Sequence, residues 1–554
     1  MKKLLLAIGI FAIVFPAGFY LIGFGYFNMH DDLQVMRIYE MEKCLSDGQI
    51  PCRWSPDMGW GYGQAMFNFY SAFPYYLGTL IRIITPLSII GTVKILFFIS
   101  FFVGALGMYI LAREFWGKWG GILSSVLYTY APYHAVDVYV RGALAESFSL
   151  GLLPFLWFYI YKLIKTPSLK NTLLTSLLLA FLLTTHNVST LMYAPPTIVW
   201  ALYWLLKKKK TLSVYRLGLS GILGLGLSSF FLIPGVVEQR LIQVKNLVSD
   251  YSNYQAHFVT LKQLFLSRFW GDGPSIFGLD DGMSFQIGWP HWWILAPLAL
   301  GGILWLRKYE KRQNVIILSG LIGLFLFSSF LTHPRSIFIW EKIPIMSFIQ
   351  FPWRFLGLSI FFLSFAGGAL AKLEIKGKKF IYILAFSLAI ILNVSYFKPL
   401  HFSRKVIDSE KLSGLAFDLQ RRAAIVDYLP KSAKIAPKGP VFESPKLLSG
   451  AGEISGYEVA SNRFSFEIKA YEYSEIEIPV MYFPGWILII DGNEIMPKIH
   501  GDLGTIAFTV LPGNHIVRGR FTNTPIRTLA NTITVLSIGA FFVLLGLSER
   551  KFNE

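Results

Sequence analysis

Two adjacent carboxylates, Asp31 and Asp32, follow the first apolar segment of the chain, in the stretch NMHDDLQVMRIYE (28–40). Side by side at a boundary of low dielectric constant they repel each other, so one of them should keep its proton to a higher pH. Such a pair can act as a general base, or can bind a divalent cation such as Mg²⁺ or Mn²⁺. We predict that Asp31 or Asp32 is catalytic, with metal binding as an open alternative. The spacing of Asp31 and Gln34 also fits a helix N-cap, which needs no chemistry.

A second group of charged residues lies in PYHAVDVYVRGALAESF (132–148), which contains Asp137, Arg141 and Glu146. Asp137 and Arg141 are four residues apart and share a helical face, so one interpretation is an ion pair that holds the segment in place. Contact with a substrate is the other interpretation, and the two are compatible. We predict substrate binding by these three residues.

Arg354 lies in IQFPWRFLG (349–357), where an apolar segment begins. An arginine at the edge of a membrane needs an anionic partner, and its guanidinium group fits a phosphate, either of a lipid-linked substrate or of a bulk phospholipid. His186 and Asn187 form the turn between two short apolar segments, and Glu238 follows a third. We predict that all four contact the substrate. A lone histidine is more often structural, however, and Glu238 can also be simply solvated.

The elements that must position these residues are membrane spans. The 554 residues are 54% hydrophobic and only 15% charged, with a mean hydropathy of +0.51. Soluble domains carry roughly 25% charged residues. Apolar runs recur from 4–27 to 527–547, and two of them, 92–112 and 119–133, are joined by the predicted turn REFWGKWGG. Their lengths indicate about twelve spans. The sequence therefore predicts a polytopic α-helical membrane protein.

Basic turns decide the predicted orientation in the membrane. Assigning the spans alternately brings every basic turn, including Lys207–Lys210, to the cytoplasmic side. The alternation requires that residues 73–90 lie in the outer interface instead of crossing the bilayer. Both termini are then cytoplasmic, the protein is multi-pass in the cytoplasmic membrane, and Asp31 is extracytoplasmic. These turns explain the net charge of +18, so we predict a lipid bilayer as partner and no nucleic acid.

The first apolar segment, 4–27, is longer than the ~7–15 residues of a signal-peptide core and lacks a small-x-small cleavage site. We predict that it is an uncleaved helix. Cys44 and Cys52 follow it, in a loop that is then extracytoplasmic, where disulfides form. A disulfide between them is one interpretation, and two free thiols are the other.

The composition changes near residue 398. Short runs that alternate apolar and polar residues are interrupted by turn signals such as Asp491-Gly492 and Pro512-Gly513, which is typical of an antiparallel β-sandwich. The predicted organisation is a transmembrane domain (1–397) with outer loops 28–91 and 237–290, an extracytoplasmic β-rich domain (398–525), and a final transmembrane helix with a cytoplasmic tail (526–554).

Several motifs resemble those of the GT-C glycosyltransferases, namely HDD after the first span and SAFPYYLGTLIRII as an interfacial helix. VDVYVRGALAE, THN and QFPWRF more closely resemble the YfhO-like family and the membrane proteins called 6-pyruvoyl-tetrahydropterin synthase-related. The resemblance implies a GT-C-like fold, a sugar donor linked to polyprenyl phosphate, and inversion at the anomeric carbon. It maps the first family acid onto Asp31 and the second onto Asp137 or Glu146. No group of histidines suits the zinc site that pterin chemistry requires.

These observations favour a membrane glycosyltransferase acting at the extracytoplasmic face. Asp31 or Asp32 would deprotonate an acceptor, which is a glycan or a protein, while Arg354 and Arg141 would stabilise the lipid phosphate that leaves. The alternative is a flippase or exporter of lipid-linked glycans without bond chemistry. Few ionisable residues lie in the middle of the spans, which argues against that alternative.

Overall fold

The computed structural model describes residues 2–278, 281–298, 302–309, 312–373 and 377–553. Residues 279 and 280 of the predicted outer loop 237–290 lie outside these ranges. The helices are α1 (Lys2–Val14), α2 (Gln34–Ser46), α3 (Met66–Phe69), α4 (Phe73–Ile84), α5 (Ile89–Thr129), α6 (Pro132–Ala135), α7 (Leu144–Lys165), α8 (Leu169–Thr185), α9 (Asn187–Lys208), α10 (Thr211–Val237), α11 (Leu261–Phe265), α12 (Trp289–Pro297), α13 (Ile303–Tyr309), α14 (Arg312–Leu331), α15 (Ile337–Lys342), α16 (Leu356–Gly367), α17 (Lys378–Asn393), α18 (Asp408–Lys411), α19 (Gly414–Arg422) and α20 (Pro525–Asn553).

Much of the chain is helical and apolar, which confirms the predicted class of polytopic helical membrane protein. The predicted number of about twelve spans stays a prediction, because length and composition qualify seven helical segments of the described ranges as spans. These are Ile89–Thr129, Leu144–Lys165, Thr211–Leu241, Arg312–Leu331, Pro352–Lys372, Lys378–Tyr396 and Pro525–Ser548.

Helix α5 is a folded-back pair and not one straight rod. Gly117, in its middle, has a φ of +79°, a conformation that glycine adopts without steric cost. The Ser125 hydroxyl on one side of this break donates a hydrogen bond to the Ala105 carbonyl on the other, at 2.8 Å. The sequence prediction of two separate spans, 92–112 and 119–133, therefore matches the two arms of α5.

The first helix is shorter than predicted. The apolar segment 4–27 was expected to form one helix, but α1 ends at Val14. Pro16 explains the early end, because a proline disfavours the helical conformation of the residue before it. The chain continues through turns to β1 (Tyr26–Phe27), which pairs antiparallel with β2 (Phe402–Ser403).

The segment predicted to lie in the interface, 73–90, contains α4. Its 12 residues are too few for a helix that crosses a bilayer, which needs about 20. The Tyr75 hydroxyl donates to the side-chain oxygen of Gln34 at 2.7 Å, so α4 helps to hold the start of α2.

The C-terminal strands form two antiparallel sheets, as the alternating pattern predicted. One sheet has the order β3-β6-β10-β9 and the other β4-β5-β11-β7-β8, and apolar side chains of both sheets share one core. The Asp491-Gly492 turn joins β7 to β8, where Ile490 pairs with Asn493. The strands are β3 (Lys446–Ser449), β4 (Gly452–Ala460), β5 (Arg463–Ala470), β6 (Ser474–Met481), β7 (Trp486–Ile490), β8 (Asn493–Ile495), β9 (Lys498–His500), β10 (Thr505–Val510) and β11 (Gly513–Phe521).

Residues 404–445, between the membrane helices and the sandwich, form the short helices α18 and α19 joined by irregular chain. This segment is fastened to the bundle at several points. The Asp408 carboxylate accepts hydrogen bonds from the backbone N–H groups of Ile89 and Ile90, at 2.7 and 3.0 Å, and so caps the start of α5. The Tyr428 ring stacks on Phe69 of α3, with ring centroids 5.9 Å apart.

Candidate functional site

A cavity of about 1210 Å³ lies where one end of several membrane helices meets the 28–33 turn and the 404–445 segment. Its helical wall comes from the first turn of α7, the turn between α8 and α9, the end of α10 and residues 345–354. Among the residues that the sequence singled out, seven line this cavity: Asp31, Asp32, Arg141, Glu146, His186, Asn187 and Arg354.

The turn that carries Asp31 is held by the chain around Arg141. The backbone N–H groups of His30 and Asp31 donate to the carbonyls of Val140 and Arg141, both at 2.9 Å. The Gln34 amide donates to the Gly142 carbonyl at 2.9 Å. These contacts bring the 28–33 turn and the 132–148 segment together, although about a hundred residues separate them.

Asp31 forms a salt bridge through one carboxylate oxygen, while its other oxygen has no hydrogen-bond partner among the described residues. Its Oδ2 accepts from Arg37 Nη1 at 2.7 Å and from Gln34 Nε2 at 3.1 Å, while none of the described residues donates to Oδ1. The side chain is 33% exposed. The predicted N-cap role of Asp31 is wrong: α2 begins at Gln34 with Leu33 as N-cap, and Gln34 instead reaches back to the Asp31 side chain.

Asp32 is engaged differently. Its Oδ2 forms an ion pair with Lys411, and its Oδ1 is buried without a hydrogen-bond partner. Burial raises the pKa of Asp32, and the neighbouring Asp31 adds to the shift while Lys411 opposes it. A raised pKa was expected from repulsion within the pair. Burial is the larger cause.

A network of two acids and two arginines forms part of the cavity wall. Arg141 forms an ion pair with Asp137 through Nη1 and with Glu146 through Nη2, the latter at 2.9 Å. Arg354 Nε lies 3.4 Å from the same Glu146 carboxylate, and the Tyr133 hydroxyl donates to it at 2.5 Å. Opposite charges are therefore balanced in a buried place, as burial requires. Asp137 is fully buried and does not line the cavity, which corresponds to the ion-pair interpretation.

Two side chains present unused N–H groups to the cavity. Arg354 Nη1 donates to the Ile349 carbonyl at 2.8 Å and to Gln350 Oε1 at 3.0 Å, whereas Nη2 has no hydrogen-bond partner among the described residues. His186 Nδ1 accepts from the Ser189 backbone N–H at 3.3 Å, so the ring proton is on Nε2. Burial lowers the pKa of His186 to about 3; Glu146 opposes this shift, and Arg354 and Arg141 add to it. His186 is therefore a neutral donor at physiological pH.

The cavity also has an apolar side. Val236 at the end of α10 is 64% exposed and Ile345 is 55% exposed, although both also line the cavity. The polar end is thus continuous with a hydrocarbon surface on the outside of the bundle. The apolar lining residues on this side are Leu183, Val188, Leu191, Phe231, Leu232, Val236, Ile345 and Phe348.

Part of the cavity wall was missed by the sequence analysis. Lys411, Gln420, Asp427 and Tyr428 line it, and all four lie in the polar 404–445 segment, which has no periodicity or motif. Burial raises the pKa of Asp427 to about 6, with Arg37 opposing and Asp31 adding to the shift. No signal in the sequence distinguishes these residues from surface residues.

Glu238 is the clear correction. It was predicted to contact substrate or water, but it is buried and does not line the cavity. Its carboxylate accepts from Asn68 Nδ2 at 2.8 Å, Thr524 Oγ1 at 2.6 Å and Arg527 Nε at 2.9 Å. Glu238 therefore joins the end of α10 to the start of α20. Arg527 is 289 residues away in sequence, so no local pattern could reveal this pair.

The remaining predicted features concern covalent and metal links. Cys44 and Cys52 form a disulfide that closes the loop after α2.

Asp31 and Asp32 are already paired with Arg37 and Lys411, so their arrangement does not suit Mg²⁺ or Mn²⁺. Across the described ranges, no three or more His, Cys, Asp or Glu side chains are grouped as metal ligands. Binding of a divalent cation stays an untested prediction.

Comparison with known families identifies the chain. The family described as "6-pyruvoyl-tetrahydropterin synthase related domain; membrane protein" matches residues 67–400, which is more than half of the chain. The protein therefore belongs to this family, as its motifs predicted. Arg141, Glu146, His186 and Arg354 lie inside the matched range, whereas Asp31 lies before it and the 404–445 segment after it.

Individual relatives are more distant. An uncharacterized protein of Lactococcus lactis subsp. cremoris (strain MG1363) is 27% identical over 226 residues, which cover 39% of this chain and 36% of that protein. Arabinofuranosyltransferase AftD from Mycobacteria is 14% identical with a TM-score of 0.45, over 73% of this chain and 28% of that one. The Archaeoglobus fulgidus oligosaccharyltransferase is 13% identical with a TM-score of 0.40, over 72% and 54%. This chain thus spans 28% to 54% of the length of these proteins, and likeness of this size assigns no activity.

Proposed function

We propose that this member of the 6-pyruvoyl-tetrahydropterin synthase related membrane family is a glycosyltransferase that moves a sugar from a polyprenyl-phosphate-linked donor to an acceptor. One observation carries the proposal. A single cavity joins a carboxylate oxygen without a partner, on Asp31, to free N–H groups on Arg354 and His186 and to an apolar side that reaches the outside of the bundle. A lipid phosphate that carries a sugar has the same three parts.

The donor fits the cavity by its chemistry. The polyprenyl chain would lie along the apolar side near Val236 and Ile345, where leaving the bilayer costs it little free energy. The phosphate would then meet Arg354 Nη2 and His186 Nε2–H. A guanidinium and a neutral imidazole are both donors without an acceptor on the side they present, as a phosphate oxygen requires.

Asp31 is the better candidate of the two for the general base. Its Oδ1 accepts no hydrogen bond from the described residues, and a third of the side chain is exposed. Asp32 Oδ1 is buried, and its other oxygen is held by Lys411. A base must come within hydrogen-bond reach of the proton that it takes, which favours Asp31.

In the proposed reaction, Asp31 takes the proton of the acceptor hydroxyl while the acceptor oxygen bonds to the anomeric carbon of the sugar. The bond between that carbon and the phosphate oxygen breaks, and the electron pair leaves with the lipid phosphate. Arg354, with Arg141 behind it, stabilises the negative charge that develops there. We propose inversion at the anomeric carbon, as the family resemblance implies.

The proposal puts the reaction on the extracytoplasmic side, and α9 supports this. His186 and Asn187, at one end of α9, line the cavity, whereas Lys207 and Lys208 lie at the other end. A helix of 22 residues is about 33 Å long, which is close to the thickness of a bilayer core. Because lysine-rich turns face the cytoplasm, the cavity would face away from it.

The test is a transfer assay in proteoliposomes with a panel of polyprenyl phosphates carrying radiolabelled sugars, and with cell-envelope glycans as acceptors. We expect Asp31→Asn to reduce the transfer rate by about 10²–10⁴-fold, the usual share of a general base. Asp32→Asn should retain more activity, and Asp502→Asn, at an exposed ion pair of the sandwich, should match the wild type. Wild-type rates in both Asp31→Asn and Asp32→Asn would refute the catalytic assignment. Movement of the labelled lipid across the bilayer without transfer would favour an exporter.

A further inference from the structure

Three arginines lie together on the solvent face of the five-stranded sheet. In β11, Arg518 and Arg520 are exposed, whereas the residues between and beside them are buried, as the alternation of side chains along a strand requires. Arg520 pairs directly with Arg463 of β5, and Arg518 pairs with Ser465. Directly paired residues of an antiparallel ladder point to the same face. Arg463, Arg518 and Arg520 therefore surround Ser465 on one face, and we call them the arginine patch.

The arginine patch places like charges directly opposite each other. Paired residues have Cβ atoms about 4.5–5.5 Å apart, and like charges at this spacing destabilise a sheet. Arg518 and Arg520 form no ion pair and no side-chain hydrogen bond with the described residues. Arg463 Nη1 donates to the Asp47 carbonyl at 3.1 Å and to Asn462 Oδ1 at 3.3 Å, which are both uncharged acceptors. The repulsion is therefore left for an anion to relieve.

Acidic side chains are present on the same face but do not neutralise the patch. Glu458 of β4 pairs with Ser465, and Glu467 of β5 pairs with Ile516. Within the described ranges, neither of them forms an ion pair with an arginine of the patch. The cross-strand row at the edge of the patch contains no acid at all, and its members are Ala460, Arg463, Arg520 and Ile487.

This row lies at the end of the sheet that meets the membrane helices. Phe521, the residue after Arg520, packs on Trp54 with ring centroids 5.2 Å apart. Arg53, the residue before Trp54, donates to Asn531 Oδ1 at 2.8 Å. Asn531 belongs to the apolar segment Pro525–Ser548, which is long enough to span a bilayer. The patch is therefore close to the level at which α20 enters the membrane.

An exposed apolar side chain lies beside the patch. The Asp47 carboxylate accepts from the Ser461 backbone N–H at 2.7 Å, so the chain after α2 is fastened to the same end of the sheet. Ile50 follows Asp47 by three residues and is 76% exposed. Basic side chains next to an exposed apolar one are typical of surfaces that touch the headgroup region of a bilayer.

We propose that the arginine patch binds the anionic headgroups of phospholipids and so holds the β-sandwich against the bilayer surface. The fork of a guanidinium group matches the oxygens of a phosphate, and neighbouring lipids bring several phosphates to one surface. The assignment does not depend on the transfer reaction and would apply equally to an exporter. A soluble acidic glycan fits the charge of the patch, but a lipid surface also accounts for the position beside α20 and for the exposure of Ile50.

Contact with headgroups can be measured on the full-length protein in vesicles. Cys44 and Cys52 are joined, so Ser465→Cys places a single thiol for a fluorescent label inside the patch. Phosphatidylcholine with a nitroxide on its headgroup, present as a tracer, quenches a label that lies at the bilayer surface. We expect quenching to increase as phosphatidylglycerol replaces phosphatidylcholine. A label at Asn514→Cys, at the other end of β11, should be quenched little at any composition.

Variants show whether the arginines are responsible. Arg520→Gln should raise the fraction of phosphatidylglycerol that gives half of the quenching by about fivefold, which is the usual share of one basic residue at an anionic surface. Arg422→Gln, at an exposed position of α19, is the matched control and should titrate as the parent protein does. High salt should weaken the quenching, because it screens exposed charges.

The lipid titration uses one labelled protein throughout, so it does not depend on how well a variant folds. Quenching that is independent of phosphatidylglycerol, or that Arg520→Gln leaves unchanged, would overturn the lipid assignment. So would binding of dextran sulfate through Arg520 without quenching of the Ser465 label by the headgroup tracer, because the patch would then be a site for a soluble polyanion.

Discussion

Two regions of the protein treat an acidic side chain in opposite ways, one fully buried and one partly exposed to the cavity. At the junction, defined by Asn68, Glu238, Thr524 and Arg527, the acid receives three hydrogen bonds, one of which is its ion pair with Arg527. At the cavity, Asp427 receives none from the described residues. Neither acid lies in a recognisable motif: the local sequences are VVEQR and IVDYL. Each is near an arginine, Arg527 for Glu238 and Arg37 for Asp427.

The difference teaches how to tell a structural charge from a functional one in this fold. A buried charge with every partner present joins elements, and losing one partner leaves the other uncompensated. A charge without partners in the protein destabilises the folded state unless water or a ligand solvates it. The Glu146 network is intermediate, because its acids are paired while Arg354 keeps one N–H group free toward the cavity.

The largest expected effect is on stability at the junction. Glu238→Gln would leave Arg527 buried without an anion, and we expect the free energy of unfolding to fall by about 3–5 kcal/mol. Tryptophan fluorescence during denaturant titration in detergent micelles would measure it, with Glu494→Gln, at an exposed hairpin position, as control. Transfer per folded molecule should not change. A loss of activity with normal stability would move Glu238 back among the functional residues.

A smaller effect, on rate, is expected at the donor side of the cavity. Arg354→Gln removes the free N–H group proposed for the leaving phosphate, and we expect transfer to fall by about 10²–10³-fold, as when one transition-state donor is lost. Stability should also fall, because the buried network then holds two acids and one arginine, so the transfer rate is compared per folded molecule. Arg335→Gln, an exposed arginine in the turn after α14, is the matched control. Equal losses in the two variants would indicate general contact with lipid phosphates.

The smallest expected effect is a gain in stability instead of a loss, and it concerns Asp427. Because burial raises the pKa of Asp427 to about 6, the folded state holds its proton more tightly than the unfolded state. Stability therefore falls as the pH rises from about 4 to about 6, and the loss is complete above that window. Asp427→Asn removes this loss, so we expect it to be more stable than the wild type by on the order of 2 kcal/mol at pH 7.5 and equal to it near pH 4. Unfolding midpoints at both pH values would measure it, beside Asp418→Asn, a half-exposed residue of α19 that pairs with Arg421. A destabilised variant at pH 7.5 would mean that Asp427 has an unseen partner.

Local patterns predicted a large part of the molecule. Apolar runs and basic turns indicated a helical membrane protein, alternation indicated the antiparallel strands, and Gly117 fell in an expected turn. The motif residues Arg141, Glu146, His186 and Arg354 were singled out one by one and do line a common cavity. One local prediction was wrong: α1 is shorter than expected, because Pro16 ends the helix early.

The sequence by itself determined which segments are apolar, which turns are basic and which residue types could do chemistry, because these depend on side chains a few positions apart. Only the tertiary structure decided which charges meet. It paired Glu238 with Arg527 and Asp32 with Lys411, and it brought Asp427 to the cavity. Contacts between residues hundreds of positions apart depend on how the whole chain packs, and a short window of sequence carries no record of that packing.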